Sequence, residues 1–472
     1  MDNQRRNNPE ARIRQLEYEI EELKDKLCQT EKLLDDVYQS KTWRLGQLYG
    51  RVVGVESVFW KKVSGLMKKF GSGPEEAGPH RDLSGHIQVT NEHHARLEEF
   101  VTRSETAAGI FIVIAETGIA ERISTRIDQL SHRAIKLARE FDAMGYSVVF
   151  VFTERKGHDQ DALMEHVSGN ILQMHISLFL GIYRLIFRKL NRPDKQRTLL
   201  LQVLHPALIE ILGYANAGGW ITVYDCLDNW EEFFRQGWHS WYDRRVEEFV
   251  LQNVDQRITV SPFLKKKFCD YEPIHIVHNG YTPDIAGGYV KELKKGKITI
   301  GYMGNLQEFR FDWKFLTAIA ERKKEWLFYV VGLLPKGISF PENIIHLPPV
   351  KPKFLSAYAG NWDVAMIPFK INPLTLACDN LKIYEYLLFR LPVVARGVGL
   401  HAADYPYVYL VETEEAFIDH VESAALIKID EPTISSFLQQ ADWTSRAREF
   451  LKVVQTMRQH HKEVLHEGPL HP

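Results

Sequence analysis

Near the start of the chain, apolar positions recur at alternating spacings of three and four: Ile13, Leu16, Ile20, Leu23, Leu27, Leu34 and Val37, with Thr30 the one polar member. This is the a/d stripe of successive heptads, and Glu17, Glu21, Glu22, Lys24, Asp25, Lys26, Glu31 and Lys32 between them form a solvated helix face. One helix alone leaves such a stripe exposed. The pattern therefore predicts a coiled coil within a helical extension over 1–70, and a homo-oligomer built through it. Residues 41–70 add Trp43, Arg44, Tyr49, Arg51, Phe59, Trp60 and Lys61, suited to docking on a membrane or partner or to closing the coiled coil. The Gly- and Pro-rich GSGPEEAGPHRDL at 71–83 opens a linker read over 71–105.

Beyond residue 105 the pattern alternates between short apolar runs and helical periodicity. The run 109–115 (GIFIVIA) suits a buried strand, and 126–144 has helical spacing through Ile127, Leu130, Ala134, Leu137, Ala138 and Phe141. Strands are predicted at 147–152 (SVVFVF), 199–204, 220–224 and 257–260. A second series runs through a strand at 298–301, a helix at 312–323, strands at 326–332, 344–347 and 364–368, a helix at 381–389 and a strand at 392–395. This alternation predicts an α/β protein with two facing Rossmann-like, doubly wound domains, 106–285 and 286–440, joined near Asn279-Gly280, and a C-terminal segment at 441–472. Ligands in such folds bind where the carboxyl ends of the strands meet a cleft.

A length of 472 residues fits two domains and an appendage. The net charge of −2 supplies no global field for nucleic acid or an anionic membrane, so any phosphate recognition must be local. Cys28, Cys226, Cys269 and Cys378 lie far apart without metal-ligand spacing, which points to a reducing compartment. No secretory leader pattern is visible, and no window approaches the ~20 apolar residues of a spanning helix, so the expectation is a cytoplasmic protein. The stretch 177–190 (SLFLGIYRLIFRKL) is short and holds Arg184, Arg188 and Lys189. It reads more readily as a packed helix than as one lying on a membrane surface, the alternative behind a possible peripheral membrane contact.

The most informative stretch for chemistry is 367–395, IPFKINPLTLACDNLKIYEYLLFRLPVVA. A strand ends at Pro368, a polar loop follows, and a helix starts near Asn380 with Lys382 and Glu385 three residues apart. Free N–H groups at a helix start beside a lysine suit a diphosphate, and a carboxylate one turn deeper suits ribose hydroxyls. The plainer alternative is a surface pair on an amphipathic helix.

The pattern P-F-x-x-x-x-L-T-x-x-x-x-N-x-K-x-Y-E-Y-L-x-x-x-x-P-V-V resembles the donor-binding segment of GT-B-fold glycosyltransferases related to family four (glycosyl transferases group 1). The resemblance implies that Glu385 binds the donor ribose. Those enzymes carry a second acidic residue eight positions earlier. Ala377 stands there, so the E-x7-E pair is broken, and Asp379, with Asn380 beside it, is the nearest substitute at the donor sugar. IGYMGNL at 300–306 resembles the glycine turn after the first strand of the C-terminal domain, assigning Gly304 and Asn305 to the diphosphate, with Arg310 or Lys314 to neutralise it. Residues 259–281 resemble the last N-domain strand, helix and hinge, and 442–451 the helix that crosses back to the first domain. VYDCLDNW at 223–230 and LHP at 204–206 resemble a bacterial subgroup that builds surface polysaccharides. They make Asp225 and Asp228 candidates for acceptor contact or general base, and place His205 near the reacting carbon. The segment around S-x-x-W-R-L in 37–50 resembles one beside coiled coils in such enzymes.

The resemblance thus implies a metal-independent hexosyltransferase that retains anomeric configuration. It would move sugar from a nucleotide-diphosphate-sugar held by the 286–440 domain, as co-substrate without further cofactor, to a glycan or lipid-linked acceptor held by the 106–285 domain. A nucleotide-sugar epimerase of related architecture stays open, as does a non-catalytic scaffold, which Ala377 keeps alive. Asp159-Gln160-Asp161 forms a D-x-D but reads as a solvated loop. No zinc spacing and no phosphate-loop motif is present.

Overall fold

A computed structural model describes residues 89–119, 132–153, 163–239, 241–282, 292–350 and 354–466. The heptad stripe with its predicted oligomer, the 37–50 segment, the glycine- and proline-rich start of the linker and the D-x-D lie outside the described residues.

The first described helix, α1 (Asn91–Arg103), falls within the stretch read as linker. Thr90 caps it reciprocally: its hydroxyl accepts from the His93 amide, and the His93 ring accepts from the Thr90 amide. His93, Leu97 and Phe100, spaced four and three apart, are its buried face. Helical spacing without glycine or proline turned this half of the supposed linker into part of the first lobe.

The first lobe then runs through β1 (Gly109–Ala115), α2 (Arg133–Ala143), β2 (Ser147–Phe152), β3 (Met164–Ser168), β4 (Ile171–His175), α3 (Ile176–Lys189), β5 (Gln196–Leu201), α4 (Leu208–Ala217), β6 (Ile221–Cys226), α5 (Trp230–Arg235), α6 (Arg244–Asn253), β7 (Gln256–Thr259), α7 (Pro262–Lys267) and β8 (Ile274–Ile276). Its sheet has the order β3-β4-β2-β1-β5-β6-β7-β8. All neighbours are parallel except β3 with β4. Every residue of β1 and β2 is buried, as expected for strands covered on both faces.

α3 corresponds to the basic apolar stretch. Ile176, Leu178, Phe179, Ile182, Tyr183, Ile186 and Phe187 are buried, Lys189 pairs with Glu98, and Arg184 with Glu210. Its apolar side is spent on the lobe's own core, so the membrane-surface alternative does not hold for this segment. No described helix is long and apolar enough to cross a membrane.

The second lobe runs through β9 (Thr299–Met303), α8 (Trp313–Arg322), β10 (Leu327–Val331), β11 (Ile344–Leu347), α9 (Leu355–Ala359), β12 (Val364–Pro368), α10 (Pro373–Ala377), α11 (Leu381–Leu388), β13 (Val393–Arg396), β14 (Val408–Leu410), α12 (Glu414–Ala424) and α13 (Glu431–Gln440). Its parallel sheet has the order β11-β10-β9-β12-β13-β14. In both sheets the winding direction reverses beside the first strand, between β1 and β5 and between β9 and β12. Those two switch points open the crevices in which ligands of such sheets sit.

The last helix, α14 (Trp443–His466), returns to the first lobe. Trp443, Ala447, Phe450, Leu451 and Val454 join the core of Phe111, Phe141 and Phe150, and the Thr444 hydroxyl donates to Glu140. The Phe450 and Phe141 rings lie 5.6 Å apart.

Candidate functional site

At the second lobe's switch point, β9 ends in a turn at Gly304 with φ 143°, a conformation that L side chains rarely adopt. The room is taken as well: a Cβ there would sit 2.0 Å from Lys382 Cε. The Lys382 side chain therefore lies over the turn. The Gly304 amide is bound to the Val331 carbonyl at 2.8 Å, whereas the amide of Asn305 meets no acceptor among the described residues. The Tyr302 hydroxyl donates to the Asn305 carbonyl at 2.9 Å, and the Asn305 side chain accepts from the Gln307 amide. Gly304→Ala is expected to leave the fold intact but to push Lys382 off the turn. If the turn and Lys382 hold a nucleotide diphosphate, as the resemblance implies, its affinity should then fall about tenfold or more, one decade being ~1.4 kcal/mol, as read by calorimetry.

Lys382 and Glu385 sit on α11, whose cap is Asn380: its side chain accepts from the Lys382 amide at 3.1 Å. Asn380 is thus a capping residue first. Glu385 is half-buried, and among the described residues its carboxylate accepts no hydrogen bond. Burial raises its pKa above the ordinary 4.5, and the Lys382 ammonium only partly offsets this. The ribose hydroxyls that the resemblance places here would donate to the ionised form. Donor affinity is therefore expected to weaken as pH falls from neutrality through this raised pKa. A flat pH profile in Glu385→Gln, measured by calorimetry, checks the assignment.

Arg310 is held between the lobes. Its guanidinium lies 5.0 Å over the Phe233 ring and reaches Asp228 at 3.4 Å and the Cys378 sulfur at 3.5 Å. Among the described residues its buried Nε meets no hydrogen-bond partner. Burial pushes the Cys378 thiol up, so it keeps its proton and donates to Asp228 at 2.9 Å. Asp228 therefore stands at the cleft, as a junction between lobes rather than a free base. Lys314 is exposed on α8.

Two of the expected site residues are placed away from the cleft chemistry. Asp225 is fully buried and clamped by Arg133, with Nε–Oδ2 at 2.8 Å and a second bond at 3.0 Å, while Gln202 donates at 2.6 Å. A carboxylate so enclosed offers no surface to an acceptor hydroxyl; it is structural. Asp379 is also buried, accepting from the Asn279 amide at 2.5 Å, the Tyr384 hydroxyl at 3.1 Å and the His401 ring at 3.1 Å. Those bonds occupy the carboxylate expected to meet donor sugar. His205 follows β5, half-buried, with its ring accepting from the Ala207 amide at 3.1 Å. Gly304, Asn305, Lys382 and Glu385 are thus brought together, with Arg310 and Asp228 paired across the cleft.

Sequence spacing missed a second grouping. His278 and His401 stack with centroids 4.8 Å apart, and with Asp379 their ligand-type atoms all lie within 4.8 Å. His278 and Asp379 are 101 residues apart in sequence, so no motif could show it. The Asp379 bonds tie the cluster to the interlobe junction, where Ser261 also donates to the Ala377 carbonyl at 2.6 Å.

No protein-family model matches the chain. In sequence it is 27% identical over 213 residues to TuaH of Bacillus subtilis, a protein assigned to teichuronic acid biosynthesis as a glycosyltransferase. The match covers 40% of this chain and 53% of that protein, so the chain spans about half the length of the curated relative it matches. In structure it matches OtsA in apo form with a TM-score of 0.52 and 12% identity, over 73% of this chain and 99% of that one. It also matches α,α-trehalose 6-phosphate synthase from Burkholderia multivorans with a TM-score of 0.51 and 11% identity, over 75% and 100%. The fold is GT-B. An E. coli trehalose-6-phosphate protein bound with UDP-2-fluoro glucose matches with a TM-score of 0.50 and 12% identity, over 73% of this chain and 98% of that one. At these identities the structural likeness is one of fold, and it agrees with the predicted pair of doubly wound lobes.

Proposed function

We propose that the chain is a glycosyltransferase that binds a nucleotide-diphosphate-sugar at the β9/β12 crevice and passes the sugar to a glycan or lipid-linked acceptor in bacterial surface polysaccharide synthesis. The observation that carries this is Glu385, a half-buried carboxylate without a hydrogen-bond donor among the described residues, one turn from Lys382 over a glycine turn. Burying an ionisable group without partners destabilises a fold unless a ligand supplies them. Ribose hydroxyls meet that need, with the diphosphate against Lys382 and the Asn305 amide.

In the reaction the acceptor hydroxyl oxygen bonds to the anomeric carbon, and its proton passes to an oxygen of the departing diphosphate. The bond from that carbon to the diphosphate breaks, and the nucleoside diphosphate leaves with the electron pair. Lys382 stabilises the leaving charge, and Arg310 approaches from the lobe boundary, so catalysis rests on positioning and electrostatics. With Lys382 over the turn and Arg310 at the lobe boundary, we read the transfer as metal-independent. Retention of configuration rests on the family-four resemblance.

One structural neighbour, bound with UDP-2-fluoro glucose, makes UDP-sugars the first donors to test. A thermal-shift series of UDP-, GDP- and ADP-sugars should raise the melting temperature with one base, because a ligand specific for the native state stabilises it by mass action. No shift with any nucleotide-sugar would contradict the reading. Conversion of donor alone into an epimeric sugar would favour the epimerase, and binding without turnover on any glycan or lipid-linked acceptor the scaffold. Turnover should persist in EDTA.

A further inference from the structure

The first lobe's switch-point crevice carries a group of side chains that the donor site leaves unused. After β6 the chain runs WEEFFRQGWH over 230–239, dense in aromatics. Trp230 and Phe233 are buried and act as anchors, but Phe234 and Trp238 remain 48% and 44% exposed. Trp238 meets Phe309 of the second lobe at 5.9 Å, and Phe309 meets Phe233 at 6.2 Å. His239 packs edge-on against both Trp230 and Phe233. Its Nδ1 lies 3.0 Å from Glu116, the residue directly after β1. The group therefore spans the carboxyl end of β1, the loop after α5 and the loop after β9. Through Arg310, stacked over Phe233 and paired with Asp228, it is continuous with the donor cleft.

We infer that this aromatic group is a sugar-stacking subsite, and that its occupant is the terminal pyranose of a glycan acceptor. A pyranose has one face of C–H bonds and a rim of hydroxyls. The exposed Trp238 ring and the half-buried Phe309 ring offer surface to the first, while the Glu116 carboxylate and His239 ring, set among the same rings, offer polar atoms to the second. Burial raises the Glu116 pKa, yet the His239 contact and the His132 charge outweigh it, so the carboxylate stays ionised at neutral pH. A lipid chain has no use for those polar atoms, and a polyphosphate is disfavoured by the Glu116 carboxylate. The name "acceptor" rests on the proposed glycosyltransferase reading; the sugar contact itself does not.

The test is saturation-transfer NMR on the full chain, with maltose, cellobiose, lactose and N,N′-diacetylchitobiose as probes and aromatic protons irradiated. At least one should receive saturation on its ring C–H protons. That signal should fall at least about fivefold in Trp238→Ala and survive in Trp238→Phe, with melting temperatures checked in each. UDP affinity by calorimetry should be alike in all three proteins. Sugar signals equal in Trp238→Ala and wild type, or absent with all four probes, would overturn the subsite. So would Trp238-dependent binding to phosphatidylglycerol vesicles without sugar signals, which would mark a lipid surface instead. Loss of UDP binding in the wild type, with Trp238-dependent sugar signals intact, would sink the donor reading and leave the subsite standing.

Discussion

Replacing Glu385 by alanine is expected to weaken nucleotide binding by roughly tenfold to a thousandfold while leaving the fold in place. Two ribose hydroxyls on one carboxylate make charge-assisted hydrogen bonds worth ~1.5–3 kcal/mol each. Water entering the vacated space recovers part of that, and ~1.4 kcal/mol corresponds to one decade of affinity. Stability should not suffer, because the carboxylate accepts no hydrogen bond among the described residues. Its raised pKa fixes the sign further. A carboxyl raised on folding adds stability below its unfolded pKa, and that contribution is lost as pH rises through the folded value. At neutral pH the alanine variant should therefore melt at the same temperature as the wild type or slightly above it. Calorimetry with UDP and a thermal melt together check both halves, and unaltered affinity in a folded variant would contradict the site.

A second large effect is expected from Arg133→Ala, this time on stability. The guanidinium grips buried Asp225 with two bonds and also donates to the His278 carbonyl at 3.0 Å and to the Asn279 side chain at 3.3 Å. Removing it leaves Asp225 charged, buried and supported by Gln202. Breaking one side of such a pair typically costs ~3–5 kcal/mol. The double variant Arg133→Met with Asp225→Leu should recover most of the loss, since it removes both charges and the desolvation penalty with them. Urea unfolding of the three proteins measures this. Equal stability of Arg133→Ala and wild type would mean that the clamp is not closed in solution.

The strands that sequence disclosed best were those buried on both faces. In GIFIVIA and SVVFVF every position is covered, so an unbroken apolar run is their signature. β3 and β4 gave no such run. β3, MEHVS, pairs antiparallel at the sheet edge, and β4 holds a buried Gln173 that binds the Ile119 amide at 2.9 Å. α10 looks like a polar loop in sequence because its start is written in capping chemistry: Asn372 and Thr375 bond each other's backbone around Pro373. In the site, Lys382 and Glu385 were legible because one helix turn sets their relation. Asp225 was misplaced because its role depends on Arg133, which lies 92 residues away in sequence. The same holds for Glu116 with His239 and for Asp379 with His401, pairs that only the assembled lobes reveal.

The most direct test of the central claim is a crystal structure of the full chain with UDP bound. The uridine is expected in the β9/β12 crevice, with both ribose hydroxyls on the Glu385 carboxylate and the diphosphate against Lys382 and the Asn305 amide. A nucleotide lodged in the first lobe beside Glu116, or bound with its ribose turned away from Glu385, would contradict it.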